Sequence, residues 1–398
     1  MKISLEMLEQ ARVCNKPILP ITPLTHSPAL SELAGRELFL KCDNKFRTGS
    51  FKERGACNFV QQLTAADRKR GVCAASAGNH AMALSFHAAR VGTPCTIVMP
   101  VSAPVVKVKS TEDFGAKVIL AGSTFNDAYE HALKIANEQN SVYVPAFDHP
   151  LIISGQGTCG LEMIDQLPDI DSVVVPIGGG GLICGIAAAL KAKKPDLFVL
   201  GVHSEWAVKS RDGTLPPGDL TPRSIADGIA VKREGDITKP LMQELVDQIV
   251  VVNEQALCEA TVRMIELEKS VVEGAGAAGL AGVLAAKLPD RCKKTAIVVT
   301  GSNIDTNVLA RLIQQNLARE DRLMRVTVAV PDRPGMLHKA VDAVALSGGN
   351  ILDVIHNRYF TAMPGNVDIT FLIEVRGKHH QDEVLKALLA TGVEVVCN

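Results

Sequence analysis

The chain has 398 residues, of which 47% are hydrophobic and 21% are charged, a composition that is typical of globular proteins and excludes a disordered or fibrous one. At about 150 residues per domain, this length predicts two or three domains. The 42 basic and 43 acidic side chains nearly cancel, which argues against a nucleic-acid partner or binding to an anionic membrane.

The ten cysteines are scattered and form no C-x-x-C pair. Because zinc and iron–sulfur sites need grouped ligands, we expect reduced thiols, no metal site and a cytoplasmic protein. The first residues, Met1–Glu6, contain an early acid and no apolar run, so no signal peptide is expected. The uncharged stretch 173–190 is divided by Pro176 and four glycines, so we predict a strand, a turn and a helix rather than a membrane span.

Short β-branched runs alternate with helical patterns over residues 72–299. The predicted strands are 72–75, 95–99, 116–120, 172–175, 197–202 and 296–299, and the predicted helices among them are 79–91, 105–114 and 126–138. This alternation predicts parallel sheets that are covered by helices on both faces. The units are too many for one small sheet, so we expect an α/β fold with two lobes and a ligand beyond the carboxyl ends of the strands.

The segment Ser50–Ala56, with the sequence SFKERGA, contains the sharpest local feature. Lys52 lies after a turn at Thr48–Gly49 and before a predicted helix. A lysine in a partly desolvated turn has a lowered amine pKa, which suits Schiff-base chemistry. The alternative, from the residues alone, is a solvated surface lysine.

The pattern S-F-K-x-R-G-A resembles the lysine motif of the fold-type II (tryptophan synthase β-like) pyridoxal-phosphate enzymes, and specifically of the threonine dehydratases. Six fixed positions match by chance with a frequency on the order of one in 10⁵, so the resemblance is specific. It implies a two-lobed catalytic domain over residues 1–322, with a smaller lobe at about 52–150, and pyridoxal 5′-phosphate (PLP) as the cofactor. It also implies that Lys52 forms the Schiff base with PLP and that Phe51 packs beside it.

The sequence SAGNH follows a predicted strand and opens a helix. Helix N-termini bind anions, so this loop could hold a carboxylate, or it could be an ordinary turn. Fold-type II enzymes have S-x-G-N-H here, which implies that the loop binds the substrate carboxylate and that Asn79 contacts the 3′-oxygen of PLP. The residues implied to bind the substrate are Ser76, Ala77, Gly78, Asn79 and His80. Related serine racemases carry a second acid in this region, whereas Ala77 leaves that face without a proton donor, which favours elimination over racemisation.

A predicted buried strand leads into four glycines and a helix. Successive glycines let backbone N–H groups converge on one phosphate, although from the residues alone the loop could bind any phosphate or be a simple turn. No P-loop or dinucleotide motif is present, which argues against a nucleotide. The resemblance implies that the PLP phosphate is held by Gly178, Gly179, Gly180, Gly181 and Leu182.

The sequence TGSNID follows the predicted strand 296–299, and Asn303 or Asp305 could simply cap the next helix. In fold-type II enzymes a serine or threonine at this strand end bonds to the pyridine nitrogen of PLP. The resemblance favours Ser302 for this role, with Thr300 as the alternative. A neutral hydroxyl does not keep the ring protonated as an aspartate would, which favours prompt loss of the β-hydroxyl group of the substrate.

Further segments extend the resemblance over about residues 5–320; they are Phe147–Pro150, Gly155–Thr158, Ala226–Ala230 and Val272–Gly276. Glu273 is either a buried acid near the cofactor or a structural residue. His203 stands where several relatives have a glutamate, close to a cation that some of them bind, so no metal site is predicted.

After about residue 322 the pattern changes. The predicted order is strand 323–330, helix 336–345, strands 351–358 and 367–375, helix 380–390 and strand 393–396. This is a ferredoxin-like βαββαβ unit, whose open edges favour pairing with a second copy. With its D-R-P-G turn it resembles an ACT domain over residues 323–398. The resemblance implies regulation by an amino acid such as isoleucine or valine, and a homo-oligomer, either a dimer or a tetramer.

Together the motifs imply a lyase that converts L-threonine to 2-oxobutanoate and ammonia, through removal of the α-proton by Lys52 and elimination of the β-hydroxyl group. L-Serine should also react and give pyruvate, because one methyl group rarely discriminates by more than about 200-fold. Both isoleucine biosynthesis and threonine catabolism use such a reaction, and the motifs do not separate the two.

Three alternatives within the fold differ from this one by few residues. Ala77 argues against a serine racemase, and the lack of an extra arginine in the motifs argues against a 3-hydroxyaspartate ammonia-lyase. Cysteine synthase-like enzymes usually have T-S-G-N-T where this chain has S-A-G-N-H. A non-catalytic amino-acid sensor is an alternative from another class, and the intact Lys52 and glycine loop argue against it.

Overall fold

The computed structural model describes residues 2–215, 224–359, 361 and 363–397. The chain divides into two compact units, Met1–Ile304 and Asp305–Asn398. The helix that follows residue 304 therefore groups with the C-terminal unit, and the domain boundary between residues 322 and 323 stays a prediction. No helix in the described part of the chain has the length and apolarity needed to cross a membrane.

The first unit contains thirteen α-helices and ten strands among its described residues. The helices are α1 Leu5–Asn15, α2 Pro28–Ala34, α3 Lys52–Gln61, α4 Ala65–Arg70, α5 Asn79–Arg90, α6 Val105–Asp113, α7 Phe125–Glu138, α8 Pro150–Gln166, α9 Gly181–Lys193, α10 Glu205–Arg211, α11 Thr238–Leu245, α12 Glu254–Glu268 and α13 Gly274–Ala285. The strands are β1 Leu24–His26, β2 Glu37–Cys42, β3 Val72–Ala75, β4 Cys95–Met99, β5 Lys117–Leu120, β6 Val142–Tyr143, β7 Ser172–Pro176, β8 Phe198–Ser204, β9 Gln248–Val252 and β10 Lys294–Val299.

Two sheets organise this unit. The larger has the order β1-β2-β10-β7-β8-β9, and only β1 runs antiparallel to its neighbour. The smaller has the order β5-β4-β3-β6 and is parallel throughout. Every residue of β3 and of β7 is buried, as expected for parallel strands that are covered on both faces. The predicted α/β fold with parallel sheets is confirmed, except that the larger sheet has one antiparallel edge strand, β1.

The three motif loops all follow parallel strands. The loop that begins at Ser76 follows β3, the glycine loop follows β7, and the loop that begins at Thr300 follows β10. Because β7 and β10 are neighbours in the larger sheet, their loops emerge at the same edge. The predicted position of a ligand beyond the carboxyl ends of the strands therefore corresponds to the place where these loops lie.

The second unit begins with one helix and continues in the predicted βαββαβ order. Its elements are α14 Thr306–Arg319, β11 Leu323–Pro331, α15 Met336–Leu346, β12 Asn350–Asn357, β13 Asn366–Glu374, α16 Lys378–Ala390 and β14 Glu394–Cys397. The sheet is antiparallel, with the order β12-β13-β11-β14. Alternate residues of β11 and β13 are buried in one apolar core with α15 and α16. The edge strand β12 is mostly exposed.

Candidate active site

Lys52 is the first residue of α3, and its side chain is half-buried. The preceding turn is fixed to the end of β10, because Ser50 forms a bridge with Gly301. The Lys52 amine donates a hydrogen bond to the Ala146 carbonyl oxygen at 2.7 Å and lies 5.1 Å from the centroid of the Phe51 ring. The predicted lysine is thus held by backbone from two other parts of the chain.

Burial lowers the pKa of Lys52 to about 8, and the carboxylate of Glu273 opposes part of this shift. His80 does not compete for protons, since burial and the charge of Lys52 lower the pKa of His80 to about 3. Its Nε2 lies 3.1 Å from the Val144 carbonyl oxygen. The His80 side chain is therefore neutral and buried near Lys52. Only the backbone N–H of His80 could take part in the predicted binding of the substrate carboxylate.

The loop Ser76–Gly78 leads into the N-terminus of α5. The Gly78 N–H donates to the Ser76 hydroxyl at 3.3 Å, and no side chain in the described residues caps the helix. Ala77 is half-buried and presents only a methyl group. The first N–H groups of a helix without a side-chain cap can bind an anion, and the binding of the substrate carboxylate by this loop stays a prediction.

Asn79 connects this loop to two residues that lie far away in the sequence. Its Nδ2 donates to Glu273 Oε1 at 2.7 Å, and its Oδ1 accepts from Asn303 Nδ2 at 2.8 Å. The Asn303 amide also donates to the Thr48 carbonyl oxygen at 2.7 Å. These bonds fix the side chain of Asn79, and the sequence motifs alone did not reveal them.

The glycine loop lies between β7 and α9. Gly180 has a φ of +93° and precedes α9 without a side-chain cap. A Cβ atom at position 179 would overlap the ring of Phe147, and one at position 181 would lie 2.8 Å from the Phe147 carbonyl oxygen. The loop therefore needs glycine for its conformation and for its close approach to Phe147, and it leaves helix N–H groups available to a phosphate.

The segment 235–238 is hydrogen-bonded to the glycine loop. The Thr238 hydroxyl donates to the Gly179 carbonyl oxygen at 2.6 Å. Asp148 in turn accepts the backbone N–H groups of Asp236, Ile237 and Thr238 at 2.8, 3.1 and 3.2 Å. Sequence reasoning noted Asp148 only as part of a matching segment and missed Thr238, which no motif marks.

Ser302 and Thr300 differ in the use of their hydroxyl groups. The Ser302 hydroxyl lies 3.1 Å from the Asn44 carbonyl oxygen and 3.4 Å from that of Gly49, and it can only donate to them. The hydroxyl of Thr300 is buried and has no hydrogen-bond partner among the described residues. Of these two hydroxyl groups, only that of Thr300 has a proton that is not already used in a hydrogen bond within the described residues. This geometry therefore favours Thr300 as the partner of the pyridine nitrogen, whereas the sequence resemblance favours Ser302.

His203 lies on β8 behind the glycine loop. Its Nδ1 is 3.2 Å from the Ile177 carbonyl oxygen, and the guanidinium of Arg211, which pairs with Glu234, lies 3.1 Å from the same nitrogen. Burial and the charge of Arg211 lower the pKa of His203 to about 4, so the imidazole is neutral. Within the described ranges, no three His, Cys, Asp or Glu side chains form a group that could hold a metal ion.

Comparison with known proteins gives one family. Its sequence profile, described as “Pyridoxal-phosphate dependent enzyme”, matches residues 17–301. The chain is 43% identical to the L-threonine ammonia-lyase of Thermotoga maritima in an alignment that covers 99% of each chain. It is 41% identical to the catabolic L-threonine dehydratase of Escherichia coli K12 in an alignment that covers 73% of this chain and 90% of that one. The solved structure of maize serine racemase has a TM-score of 0.73 at 32% identity and covers 80% of this chain and 99% of its own.

Proposed function

Since the chain belongs to the family of pyridoxal-phosphate dependent enzymes, we propose that it is a threonine ammonia-lyase that converts L-threonine to 2-oxobutanoate and ammonia. The observation that carries the proposal is the position of the Lys52 amine. It is bonded to the Ala146 carbonyl oxygen, its pKa is lowered by burial, and it interacts with Glu273, whose carboxyl group bonds to Asn79 at the uncapped N-terminus of α5. The relatives named for threonine deamination support the choice of substrate.

The residues of the site fit PLP. The glycine loop offers N–H groups at the start of α9, which suits Gly178–Leu182 for the phosphate. The buried Thr300 hydroxyl lacks a partner among the described residues and can donate to a ring nitrogen. Lys52 would hold the aldehyde carbon of the cofactor, and Phe51 would pack beside it.

Bound PLP withdraws electrons from the α-carbon of the substrate and so acidifies the α-proton. Lys52 Nζ accepts this proton, for which a pKa of about 8 is well suited near neutral pH. Ser76 and the N–H groups at the start of α5 bind the substrate carboxylate, which orients the α-proton toward the lysine. Ala77 offers no acid that could return a proton to the opposite face, which favours elimination over racemisation. The β-hydroxyl group would leave as water, with a proton from the phosphate group that Gly178–Leu182 would hold, and water hydrolyses the released enamine to 2-oxobutanoate and ammonia.

A product assay tests this function directly. The enzyme is expected to form 2-oxobutanoate from L-threonine and, within about 200-fold in kcat/KM, pyruvate from L-serine, since the two substrates differ by one methyl group. Keto acids are measured with a coupled dehydrogenase, and D-serine is measured on a chiral column. If D-serine were the main product from L-serine, the result would instead support a serine racemase. This is the second candidate function, because the structure is similar to that of maize serine racemase. Turnover of 3-hydroxyaspartate alone would also contradict the proposal.

We further propose Thr300, rather than Ser302, as the partner of the pyridine nitrogen. Thr300→Val keeps the shape of the side chain and removes the hydroxyl, so we expect PLP binding to weaken about 10-fold from the loss of one buried hydrogen bond. Ser302→Ala, the matched control, should bind PLP nearly as well as the wild type does. Equilibrium dialysis against PLP measures both. A larger loss for Ser302→Ala would return the role to Ser302.

We propose that residues 323–398 form an ACT domain that binds a branched-chain amino acid, isoleucine or valine, and contributes to a dimer or tetramer. The βαββαβ order and the exposed edge strand β12 support this proposal. Deletion of these residues should abolish the effect of isoleucine on the activity and reduce the number of subunits per particle, which light scattering gives when the measured mass is divided by the mass of the shortened chain. An unchanged response to isoleucine together with an unchanged number of subunits would refute it.

A further inference from the structure

Glu273 lies immediately before α13, and its side chain is 4% exposed. Its backbone N–H donates to the Gly301 carbonyl oxygen at 3.1 Å. A Cβ atom at position 301 would overlap its carboxyl group, so the glycine allows the acid to approach the end of β10. Glu273 is thus packed against the same strand end that fixes the turn before Lys52.

The hydrogen bonds around Asn79 determine what Glu273 does there. The Thr48 carbonyl can only accept, so the atom of Asn303 that faces it must be Nδ2, and the second hydrogen of this nitrogen points to Asn79. Asn79 therefore presents Oδ1 to Asn303 and Nδ2 to Glu273. One hydrogen of this Nδ2 bonds to the carboxyl group, and the other is left for a ligand. Asn303 thus sets which way the amide points, and Glu273 holds its nitrogen end in place.

Charged groups face Glu273 from three further elements. Lys52 lies at the start of α3, Asp227 lies on the one-turn 3-10 helix Asp227–Ile229, and Lys107 lies on α6. A Cβ atom at Gly228 would lie 3.6 Å from Glu273 Oε1, which places the turn that carries Asp227 against the acid. Lys107 Nζ donates to Asp227 Oδ2 at 2.6 Å. The carboxyl group of Glu273 therefore lies in the field of one negative charge, that of Asp227, and of two positive charges, those of Lys52 and Lys107.

We propose that Glu273 is a positioning residue whose ionised form holds Asn79 in place for the cofactor and supplies the counter-charge to Lys52, so that its protonation switches the site off. The inference rests on the proposed function for its kinetic consequences. Burial and the charge of Asp227 raise the pKa of Glu273 to about 7, whereas Asn79 and the two lysines oppose the shift. Above this pKa the charged carboxylate accepts strongly from Asn79, and below it the bond loses its charge assistance.

The first test uses variants of the acid itself. In the wild type, kcat/KM for L-threonine and the affinity for PLP should both fall as the pH decreases through the pKa of Glu273. Glu273→Gln should lose about 10- to 100-fold in kcat/KM at alkaline pH. At acid pH both profiles of the wild type should fall with the protonation of Lys52, whose pKa is about 8, and of Glu273, whose pKa is about 7, whereas those of Glu273→Gln should fall with the protonation of Lys52 alone, so that the slope of the acid limb decreases from two protons to one. Glu273→Asp should keep the two-proton slope, because the group still titrates. A purely structural role would lower both quantities by one factor at every pH, and that result would overturn the proposal.

A second test uses the ion pair that faces Glu273. Asp227→Asn leaves Lys107 unpaired and should move the acid limb to lower pH, whereas Lys107→Met leaves Asp227 unpaired and should move it to higher pH, each by roughly one pH unit. The double variant should return close to the wild-type profile. If both single variants shift the limb in the same direction, loss of the ion pair and not its field on Glu273 explains the effect, and the proposal is wrong.

The rate of PLP release distinguishes a failure of the proposed function from a failure of the proposed role of Glu273. Holoenzyme that does not deaminate threonine would refute the proposed function, yet the pH dependence of PLP release would still report on Glu273. If threonine is deaminated and Glu273→Gln does not reduce the slope of the acid limb of the release rate, the role of Glu273 fails and the function stands. The release rate is followed by the visible absorbance of the bound cofactor during dilution.

Discussion

Replacement of Lys52 with alanine is expected to lower kcat with L-threonine by at least about 10⁴-fold, because the variant loses both the covalent attachment of PLP and the group that removes the α-proton. The visible absorbance band of the bound cofactor should change as well, since no amine remains to react with it. Within the described part of the chain, this amine makes a single hydrogen bond, to the Ala146 carbonyl oxygen. The variant should therefore fold, and thermal denaturation of the protein without PLP checks this.

Lys45→Ala is the matched control. Lys45 is exposed and lies on the 3-10 turn Asp43–Lys45, which precedes the turn at Thr48–Gly49. Its removal should leave both kcat and the absorbance band unchanged. If the Lys52→Ala variant kept more than about one hundredth of the wild-type kcat, the general-base role would be contradicted, since such a base contributes about 10²- to 10⁴-fold.

The sequence predicted those parts of the fold in which local preference and burial agree. Strands β3 and β4 have the predicted bounds, because both are runs of apolar residues inside a parallel sheet. All six elements of the βαββαβ unit also lie where they were predicted, to within a few residues. In this unit the alternation of buried and exposed residues on β11 and β13 is a strong signal, as is usual for an antiparallel sheet with one covered face.

Helix α13 shows why other elements were not predicted. Its sequence, GAGAAGLAGVLA, contains four glycines and has a low helix propensity. A Cβ atom at Gly279 would overlap Ile297, and one at Gly282 would overlap Val202, so the glycines let this helix pack closely on the larger sheet. Tertiary packing, which no local pattern reports, outweighs the propensity here.

In the candidate site, too, the sequence predicted features that are local in the chain and did not predict contacts between distant residues. The lysine turn, the Ser76 loop and the glycine loop were found because each is continuous in the sequence. The contacts between Glu273 and Asn79 and between Thr238 and Gly179 join residues that are far apart in the chain, so no spacing predicts them. The choice between Thr300 and Ser302 depends on the direction of a hydroxyl proton, which only the neighbouring carbonyl oxygens determine.

Gly179→Ala is expected to weaken PLP binding by about 10- to 100-fold, which corresponds to the 1–3 kcal/mol that overpacking typically costs. The added methyl group would overlap the ring of Phe147. The loop cannot simply retreat, because the Thr238 hydroxyl holds the Gly179 carbonyl oxygen at 2.6 Å and Asp148 holds the backbone N–H of Thr238. The N–H groups that converge on the phosphate would then lose their alignment.

A rescue variant separates this steric cause from a general loss of stability. In Gly179→Ala combined with Phe147→Ala, the Cγ and Cδ atoms of the ring that the methyl group would overlap are removed, so PLP affinity should recover at least in part. Gly92→Ala is the control, since a Cβ atom there meets nothing within 4 Å while its φ of +67° adds backbone strain. That variant should lose thermal stability and keep its affinity for PLP. Wild-type affinity in Gly179→Ala, or no recovery with Phe147→Ala, would show that contact with the Phe147 ring does not set the shape of the phosphate loop.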